Sequence, residues 1–328
     1  MTSPAIAVIG AGLAGLACAQ GLRAAGLAVT VFDKGRRPGG RLATRRLGWP
    51  TGEALFDHGA QYFTARSPAF RAVCAQLLEA GVLQPWRGRV QDERTPLTDT
   101  PETRYLGQPG MNEMARWLAQ DLTVHCAAEV SALQRTPAGW ALHFKDQAKR
   151  EGFTAVAVAL PAEQAAVLLA DLAPTLAASA AAARTAPCWA GLFAFGLDAD
   201  WPDWQGLRPA PGAALGWLAR ARAGAGLVVH ASPEWSRAHL EDAPAGVEAA
   251  LLAELSRYCP GLGPPLASTV HRWRYALVEQ AAGTPCEFDP ALALGICGDW
   301  RLGPRVEWAW TSGDALAQQL SAALGQQA

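Results

Sequence analysis

The chain contains few lysines and no concentration of positive charge. Its 328 residues include 28 lysines and arginines and 29 acidic residues, so the formal net charge is −1. Lysine occurs only at Lys34, Lys145 and Lys149. Because a nucleic-acid-binding protein needs a broad positive field, this composition argues against a nucleic-acid partner.

The cysteines and histidines lack the spacings that hold a metal ion. Seven cysteines are scattered without a C-x-x-C pair, and the six histidines show no ligand pattern. An odd and scattered set of cysteines argues against a disulfide framework or a zinc site and favours a reducing compartment. We therefore expect free cysteines, no metal ion and a cytoplasmic location.

Long uninterrupted apolar runs are also missing. No stretch reaches the roughly 18 residues of a membrane helix without prolines or charges, and the apolar N-terminus lacks the basic segment of a signal peptide. Half of the residues are hydrophobic and 17% are charged, which is a globular composition. We expect a soluble protein with no membrane partner.

A glycine motif opens the chain. The segment "IAVIGAGLAG" (6–15) sets Gly10, Gly12 and Gly15 between a predicted strand and a predicted helix over 13–25. Gly10 permits a tight turn, Gly12 lets the backbone approach a pyrophosphate, and Gly15 allows close packing of helix and strand. The free N–H groups at the helix start would face the phosphates. This pattern predicts a dinucleotide site.

An acidic residue and a second glycine doublet follow. Asp33 ends the next predicted strand, where an acidic side chain accepts hydrogen bonds from the ribose hydroxyl groups. The same negative charge disfavours a 2′-phosphate, which argues against NADP as the resident dinucleotide. In "RPGGR" (37–41), Gly39 and Gly40 let the backbone pass near a phosphate, and Arg41 supplies a charge-assisted contact. A plain surface turn is the alternative. The doublet and Arg41 resemble a motif of the flavin-containing amine oxidase superfamily, in which the corresponding doublet and arginine bind FAD.

The C-terminal region carries a matching pattern. In that superfamily, the counterpart of Gly298-Asp299 binds the ribityl chain and pyrophosphate of FAD. The helix predicted to start near Arg305–Glu307 would point its N-terminus at the flavin N1/C2 carbonyl edge, where negative charge develops on reduction. Because motifs at both ends of the chain agree, we expect FAD rather than NAD.

Three more segments narrow the resemblance. The stretches "DHGAQYFTA" (57–65), "YLGQPGMNEMARWLA" (105–119) and "HRWRYALVE" (271–279) are similar to the renalase family, particularly its short bacterial members. The resemblance covers nearly the whole chain. It implies an α/β fold (α+β overall): a Rossmann-type FAD domain of the p-hydroxybenzoate hydroxylase kind with an inserted antiparallel-sheet substrate domain. It also implies noncovalent FAD.

The order of predicted elements indicates a discontinuous nucleotide domain. A parallel-sheet start, a largely antiparallel middle and a final βα unit suggest a nucleotide domain interrupted by insertions. A Pro- and Arg-rich stretch after the helix predicted at 68–80 is expected to be irregular to about residue 102. We expect an FAD-binding domain of residues 1–65, 103–160 and 290–328, and a substrate domain of residues 66–102 and 161–289.

The motifs and the resemblance together define the expected FAD contacts. By similarity, Ala14, Arg41, Gln61 and Tyr62 touch FAD, and the backbone of Val130 meets the adenine. The full expected set is Gly10, Ala11, Gly12, Leu13, Ala14, Gly15, Asp33, Lys34, Gly40, Arg41, Gly59, Ala60, Gln61, Tyr62, Val130, Gly298, Asp299, Arg305, Val306 and Glu307.

The resemblance also implies a reaction. Renalase-like enzymes oxidise off-pathway dihydronicotinamides: 2- or 6-dihydro isomers of NAD(P)H pass a hydride to flavin N5, and O2 reoxidises the flavin to give NAD(P)+ and H2O2. Such a donor needs no catalytic base because its product is an aromatic pyridinium, so positioning does most of the catalysis. A flavin-dependent amine oxidase and a non-catalytic FAD-binding protein remain alternatives.

The substrate pocket should offer flat surfaces and a few polar anchors. The candidates are Tyr62, Trp189, Trp217, His230, Trp273 and Trp310. For any single tryptophan, core packing is the favoured interpretation, and for the histidine a structural role is at least as well supported as a substrate contact. Arg272 and Arg274 could meet substrate phosphates, but exposed strand arginines look the same in a sequence.

Overall fold

A computed structural model describes residues 5–93, 102–221 and 225–325. The α-helices within these ranges are α1 (Leu13–Ala24), α2 (Pro68–Glu79), α3 (Asn112–Ala119), α4 (Ala162–Leu169), α5 (Pro174–Ala181), α6 (Pro233–Ala238), α7 (Pro244–Tyr258) and α8 (Val306–Gly325). Among the described residues, no helix combines the length and the apolar character that a bilayer crossing requires.

The first of two large sheets is mostly parallel. Its strands, in spatial order, are β19 (Cys286–Asp289), β20 (Leu294–Cys297), β13 (Ala155–Val158), β1 (Ala5–Ile9), β2 (Ala28–Phe32) and β9 (Thr123–His125). Only β19 pairs antiparallel. Helices α1 and α8 cover one face, and α4 and α5 cover the other, so the central strands are apolar throughout. This is the predicted Rossmann-type unit, and the predicted α/β class is confirmed.

The second large sheet is almost entirely antiparallel. Its order is β18 (Ala267–Gln280), β14 (Arg184–Ala194), β17 (Gly226–Ala231), β16 (Leu215–Arg220), β15 (Gly206–Arg208) and β7 (Val90–Asp92). Helix α7 packs on one face through Val247, Leu251 and Leu255. The hairpin of β3 (Thr44–Trp49) and β4 (Gly52–Asp57) packs on the other face, where Phe56 is fully buried.

Two small sheets complete the described chain. One contains β5 (Phe63–Thr64), β8 (Arg104–Gly107) and β6 (Leu83–Trp86), and the other contains β10 (Val130–Thr136), β11 (Gly139–Phe144) and β12 (Arg150–Phe153). Strands β6 and β7 lie in the stretch predicted to be irregular, so that prediction is wrong for residues 83–92, while its part at 94–101 lies outside the described residues. Both strands form through pairing with distant partners, β8 and β15, and such pairing leaves little local signal.

The region 66–86 packs differently from its predicted domain. Phe70, Cys74 and Leu77 of α2 are buried in the same core as α1 and α8 of the first sheet, whereas β7 joins the second sheet. The predicted boundary at residue 66 assigned all of this region to the substrate domain. We propose instead that the first insertion of the substrate domain begins near residue 87, after β6.

Candidate functional site

The glycines of the first motif have two distinct roles. Gly10 has φ +107°, and a Cβ there would lie 2.5 Å from the carbonyl oxygen of Ala159. A Cβ on Gly15 would lie 1.9 Å from the carbonyl oxygen of Gly10. At Gly12, by contrast, no heavy atom lies within 4 Å of the Cβ position. Gly10 and Gly15 therefore permit the packing of the turn, while Gly12 leaves the backbone open to a ligand.

Asp33 is held in place beside this turn. One carboxylate oxygen accepts a hydrogen bond from the backbone N–H of Ala11, and the other accepts one from Gly35, both at 2.6 Å. Each oxygen keeps a further lone pair, so the carboxylate can still accept a ribose hydroxyl. Lys34 and Val130 line the same end of the cavity described below.

The two glycine motifs form one continuous backbone surface. The N–H of Gly39 donates to the carbonyl oxygen of Ala11 at 2.8 Å, and Gly12 and Gly39 pair as an isolated bridge. Gly40 has φ +51°, and a Cβ on it would lie 3.3 Å from Cα of Gly12. Side chains are therefore excluded where the two loops meet, as a pyrophosphate cradle requires.

Arg41 links this surface to the C-terminal motif. One guanidinium nitrogen lies 2.6 Å from Oδ1 of Asp299, and another donates to the carbonyl oxygen of Ala276 at 3.1 Å. Asp299 is nearly buried and follows β20, so the ion pair joins the N-terminal and C-terminal motifs. Residues from opposite ends of the chain that are both expected to bind FAD are thus brought together by direct contact.

The start of α8 faces the same space. Arg305 and Val306 line the cavity, and Nη1 of Arg305 is buried without a hydrogen-bond partner among the described residues. A buried donor of this kind calls for an acceptor, and a ligand with phosphate or carbonyl oxygens would supply one. The residues at this end, together with the open backbone at Gly12, therefore fit FAD.

The side chain of Glu307 has a structural role. It is fully buried and accepts the backbone N–H groups of Arg66 at 3.0 Å and Ser67 at 2.7 Å. The carboxylate therefore points to the start of α2 and holds the two residues that precede this helix. That Glu307 also belongs to the cofactor site, through the start of α8, stays a prediction.

A single cavity of about 1680 Å³ contains these groups. This volume exceeds the roughly 300–1,000 Å³ of a pocket for one small ligand, so it has room for a dinucleotide and a second molecule. The expected cofactor residues that line it are Gly10, Gly12, Leu13, Ala14, Asp33, Lys34, Gly40, Arg41, Gly59, Ala60, Gln61, Tyr62, Val130, Gly298, Asp299, Arg305 and Val306. Ala11 and Gly15 act through the backbone contacts already described.

The far side of the cavity is formed by a line of residues across the second sheet. His230 lies opposite both Trp217 and Ala190, and Ala190 lies opposite His271. At the other end, Cζ of Arg208 lies 5.6 Å from the centre of the Trp217 ring, and Arg208 pairs with Asp92. Paired residues on neighbouring strands point to the same face. This cross-sheet row is Asp92, Arg208, Trp217, His230, Ala190 and His271.

The histidines at this face are neutral at physiological pH. Burial lowers the pKa of His230 to about 4. Its Nε2 lies 3.0 Å from the carbonyl oxygen of His58, which only accepts, and 3.0 Å from Nε2 of Gln61, which only donates, so the tautomer decides which of the two hydrogen bonds forms. Burial and the neighbouring His271 lower the pKa of His58 to about 3, and burial also lowers the pKa of His271.

Aromatic side chains surround this histidine cluster. Trp273 stacks on the ring of His58 with centroids 5.3 Å apart, and its Nε1 donates to the carbonyl oxygen of His58 at 3.0 Å. The rings of Tyr62 and Trp217 lie 5.7 Å apart. Tyr62, Trp217, Trp273 and His230, four of the predicted pocket residues, therefore line one cavity.

Trp189 and Trp310 lie elsewhere, which corrects their prediction as pocket residues. Trp189 precedes Ala190 of the cross-sheet row by one residue, so its side chain lies on the opposite face of the sheet, towards α7. It is 2% exposed, and its Nε1 donates a hydrogen bond to the carbonyl oxygen of His239. Trp310 contacts the ring of Phe70 at 5.5 Å, between α8 and α2. Both tryptophans have packing roles.

Arg272 and Arg274 also belong to the opposite face. They reach the rim of the cavity, but Arg272 lies opposite Trp189 in the sheet. Both guanidinium groups bind one carboxylate, that of Glu241, at 3.0 and 2.6 Å. Sequence reasoning missed Arg208 and His271, which line the cavity itself. Only the strand register shows that they share a face with His230.

Comparisons with known proteins agree with this architecture. The sequence profile of a family described as an NAD(P)-binding Rossmann-like domain matches residues 8–77. Mouse (Mus musculus) renalase is 23% identical over 310 residues, which cover 84% of this chain and 86% of renalase.

Solved structures show the same fold. A putative protoporphyrinogen oxidase from Exiguobacterium sp. 255-15 superposes with a TM-score of 0.76 at 13% identity, over 98% of this chain and 99% of the other. Cyclohexylamine oxidase from Brevibacterium oxydans IH-35A superposes with a TM-score of 0.73 at 12% identity, over 99% and 100% of the two chains.

Fold and site together define a flavin-dependent oxidoreductase, with FAD as the cofactor that the paired glycine motifs, Asp33 and the Gly298-Asp299 motif are built to hold. The chain is similar to renalase over most of its length and shares the fold of the two oxidases above.

Proposed function

We propose that this protein is an oxidase of off-pathway dihydronicotinamides, the 2- or 6-dihydro isomers of NAD(P), and that it releases NAD(P)+ and H2O2. FAD, when bound, accepts the hydride at N5 and passes the electrons to O2. The chain itself contributes binding, orientation and a dry surface, because a dihydropyridine loses its hydride without help from a base.

The cross-sheet row is the observation that carries this proposal. Trp217 of the row and Trp273 beside it present aromatic surface to the cavity, and His230 presents a neutral ring. A nicotinamide ring is flat and carries a carboxamide, which can hydrogen-bond to a neutral imidazole because that ring has one donor and one acceptor nitrogen. The cation of the row, Arg208, repels an ammonium group and attracts an anionic substrate. These features favour a nicotinamide nucleotide over an amine.

The three lysines argue in the same direction. Many flavin amine oxidases hold a water beside flavin N5 with a lysine. Here Lys145 pairs with Glu129 at 3.8 Å, and Lys149 pairs with Glu151 at 2.8 Å, both near the hairpin of β11 and β12. Lys34 lies next to Asp33, the residue expected to bind the ribose of the adenosine end of FAD. The amine oxidase alternative therefore lacks its usual lysine.

We also propose that the reaction takes place in the cytoplasm. All seven cysteines are free, in keeping with a reducing compartment.

Anaerobic stopped-flow absorbance tests the proposed reaction. The purified flavoprotein is mixed with the isomers made by nonselective chemical reduction of NAD, and with ordinary NADH, cyclohexylamine and putrescine as controls. We expect rapid loss of flavin absorbance with a minor dihydro isomer and a slow or absent response to NADH and the amines. Reduction by an amine alone would support the amine oxidase instead. Reduction by none of these compounds would favour the non-catalytic FAD-binding protein.

A further inference from the structure

We infer that Arg208 is the anion-binding residue of the substrate site and that it contacts a phosphate of the nicotinamide dinucleotide. This inference rests on the proposed function, which supplies the nicotinamide substrate, and it names the part of the substrate that the site recognises besides the reacting ring. Arg208 was not among the residues that the sequence predicted.

The position of Arg208 in the row is the first argument. Neighbouring strands of a sheet lie roughly 4.8 Å apart, so Arg208 on β15 lies about 10 Å from His230 on β17. This spacing is comparable to that between the base and the 5′-phosphate of a ribonucleotide. A nicotinamide held at His230 and Trp273 can therefore extend its phosphate along the row, past Trp217, to Arg208.

The guanidinium group is already oriented towards the cavity. Its Cζ lies 5.6 Å from the centre of the Trp217 ring, a cation–π contact that holds the planar group over the aromatic face. Gly206, two residues earlier on the same face of β15, makes this possible, because a Cβ there would lie 2.5 Å from the Trp217 ring. The arginine is about one-third exposed, so a ligand in the cavity can reach it.

The ion pair of Arg208 leaves hydrogen-bonding capacity for a phosphate. A single long contact of 3.3 Å joins Arg208 Nη1 to Asp92. Other arginines at the cavity are more firmly committed: Arg41 lies 2.6 Å from Asp299, and Arg274 makes two bonds to Glu241 at 2.6 and 2.9 Å. A guanidinium carries several N–H donors in a fork that matches phosphate oxygens. Of these three arginines, Arg208 thus has the most N–H donors left for an anion.

The test compares two substrates that differ in the phosphate. Wild type and Arg208→Gln are each reduced anaerobically by one dihydro isomer, supplied either as the dinucleotide or as the phosphate-free dihydronicotinamide riboside. We expect Arg208→Gln to raise the Kd of the dinucleotide by about tenfold to a hundredfold, the worth of a charge-assisted hydrogen bond. The Kd of the riboside and the limiting rate of flavin reduction should stay within about twofold.

Two variants serve as controls. Arg208→Lys keeps the charge but loses the fork, so the Kd of the dinucleotide should be intermediate. Arg220→Gln removes an arginine that also stacks on a tryptophan, Trp201, at 4.7 Å. Because the Arg220 side chain lies on the other face of β16, the variant should leave the Kd of both substrates unchanged. Equal weakening of dinucleotide and riboside by Arg208→Gln, or no weakening of either, would overturn the inference.

A binding titration separates this inference from the proposed function. NAD+ and nicotinamide riboside are titrated into the oxidised holoenzyme while flavin absorbance is recorded, which needs no turnover. Weaker binding of NAD+, but not of the riboside, to Arg208→Gln would support the phosphate contact even if no dihydro compound reduced the flavin. A failure of every dihydro compound to reduce the flavin would overturn only the proposed function. Equal affinities of wild type and Arg208→Gln for NAD+ would reject the phosphate contact.

Discussion

At Gly12 the space where a Cβ would stand is open, whereas at Gly15 that space contains the carbonyl oxygen of Gly10, 1.9 Å away. The same residue type therefore serves two needs within one turn. We expect Gly12→Ala to fold with a stability within about 1 kcal/mol of wild type but to bind FAD at least about tenfold more weakly, because its methyl group occupies the pyrophosphate approach. Gly15→Ala should lower the free energy of unfolding by about 1–3 kcal/mol or more, because the turn must shift.

Urea unfolding of the apoprotein and FAD titration by fluorescence separate the two effects. The Gly12→Ala variant is the matched control for Gly15→Ala, since both add one methyl group within the same motif. Equal stabilities of the two variants would show that Gly15 is not needed for packing. Unchanged FAD affinity in Gly12→Ala would show that the phosphates lie elsewhere.

Between elements, one buried carboxylate connects the start of α8 to the start of α2. Glu307 accepts the backbone N–H groups of Arg66 and Ser67, and Ser67 in turn caps α2 by accepting the N–H of Phe70 at 3.3 Å. Glu307→Gln keeps the shape but turns one acceptor into a donor that faces these N–H groups. We expect the free energy of unfolding to fall by about 1.5–3 kcal/mol, measured in urea.

The control for this prediction is an acidic residue in the first turn of another helix. Glu113 of α3 pairs with the exposed Arg116 at 2.9 Å, so Glu113→Gln should cost less than about 1 kcal/mol. A loss in Glu307→Gln no larger than in Glu113→Gln would mean that water or another group replaces the carboxylate.

For the whole molecule, the neutral histidines make stability depend on pH. The pKa values of His58, about 3, and His230, about 4, lie below the ordinary value of 6.5. Below pH 6.5 the unfolded chain therefore binds more protons than the folded one, and stability falls as the pH drops towards 4. Each histidine contributes a slope of up to about 1.4 kcal/mol per pH unit in this window.

Urea unfolding at several pH values between about 7.5 and 5 measures this slope. We expect His58→Leu to flatten it, because one buried titrating group is removed. His143→Gln, which changes an exposed histidine paired with Gln134 on the β10–β11 hairpin, should leave the slope unchanged. Identical slopes in His58→Leu and wild type would assign the acid sensitivity to other groups.

The sequence by itself determined the nucleotide-binding end of this protein. The predicted helix at 13–25 is observed at Leu13–Ala24, and the strands predicted on either side of it are observed as β1 and β2. Local steric rules govern much of such a turn, because Gly15 packs on the carbonyl group of Gly10 and Asp33 accepts the N–H of Ala11, all within one βαβ unit. The segments that resemble renalase then extended the prediction to the fold as a whole.

Only the tertiary structure showed which residues line the substrate side of the cavity. Trp189 and Trp217 are both strand tryptophans, yet one packs under α7 and the other faces the cavity, since a shift of one residue moves a side chain to the other face of a sheet. The cross-sheet row joins Arg208, Trp217, His230 and His271 from separate strands, and their register depends on pairing between distant segments. Long-range pairing of this kind leaves no periodic signal in the chain, so Arg208 became visible only in the folded molecule.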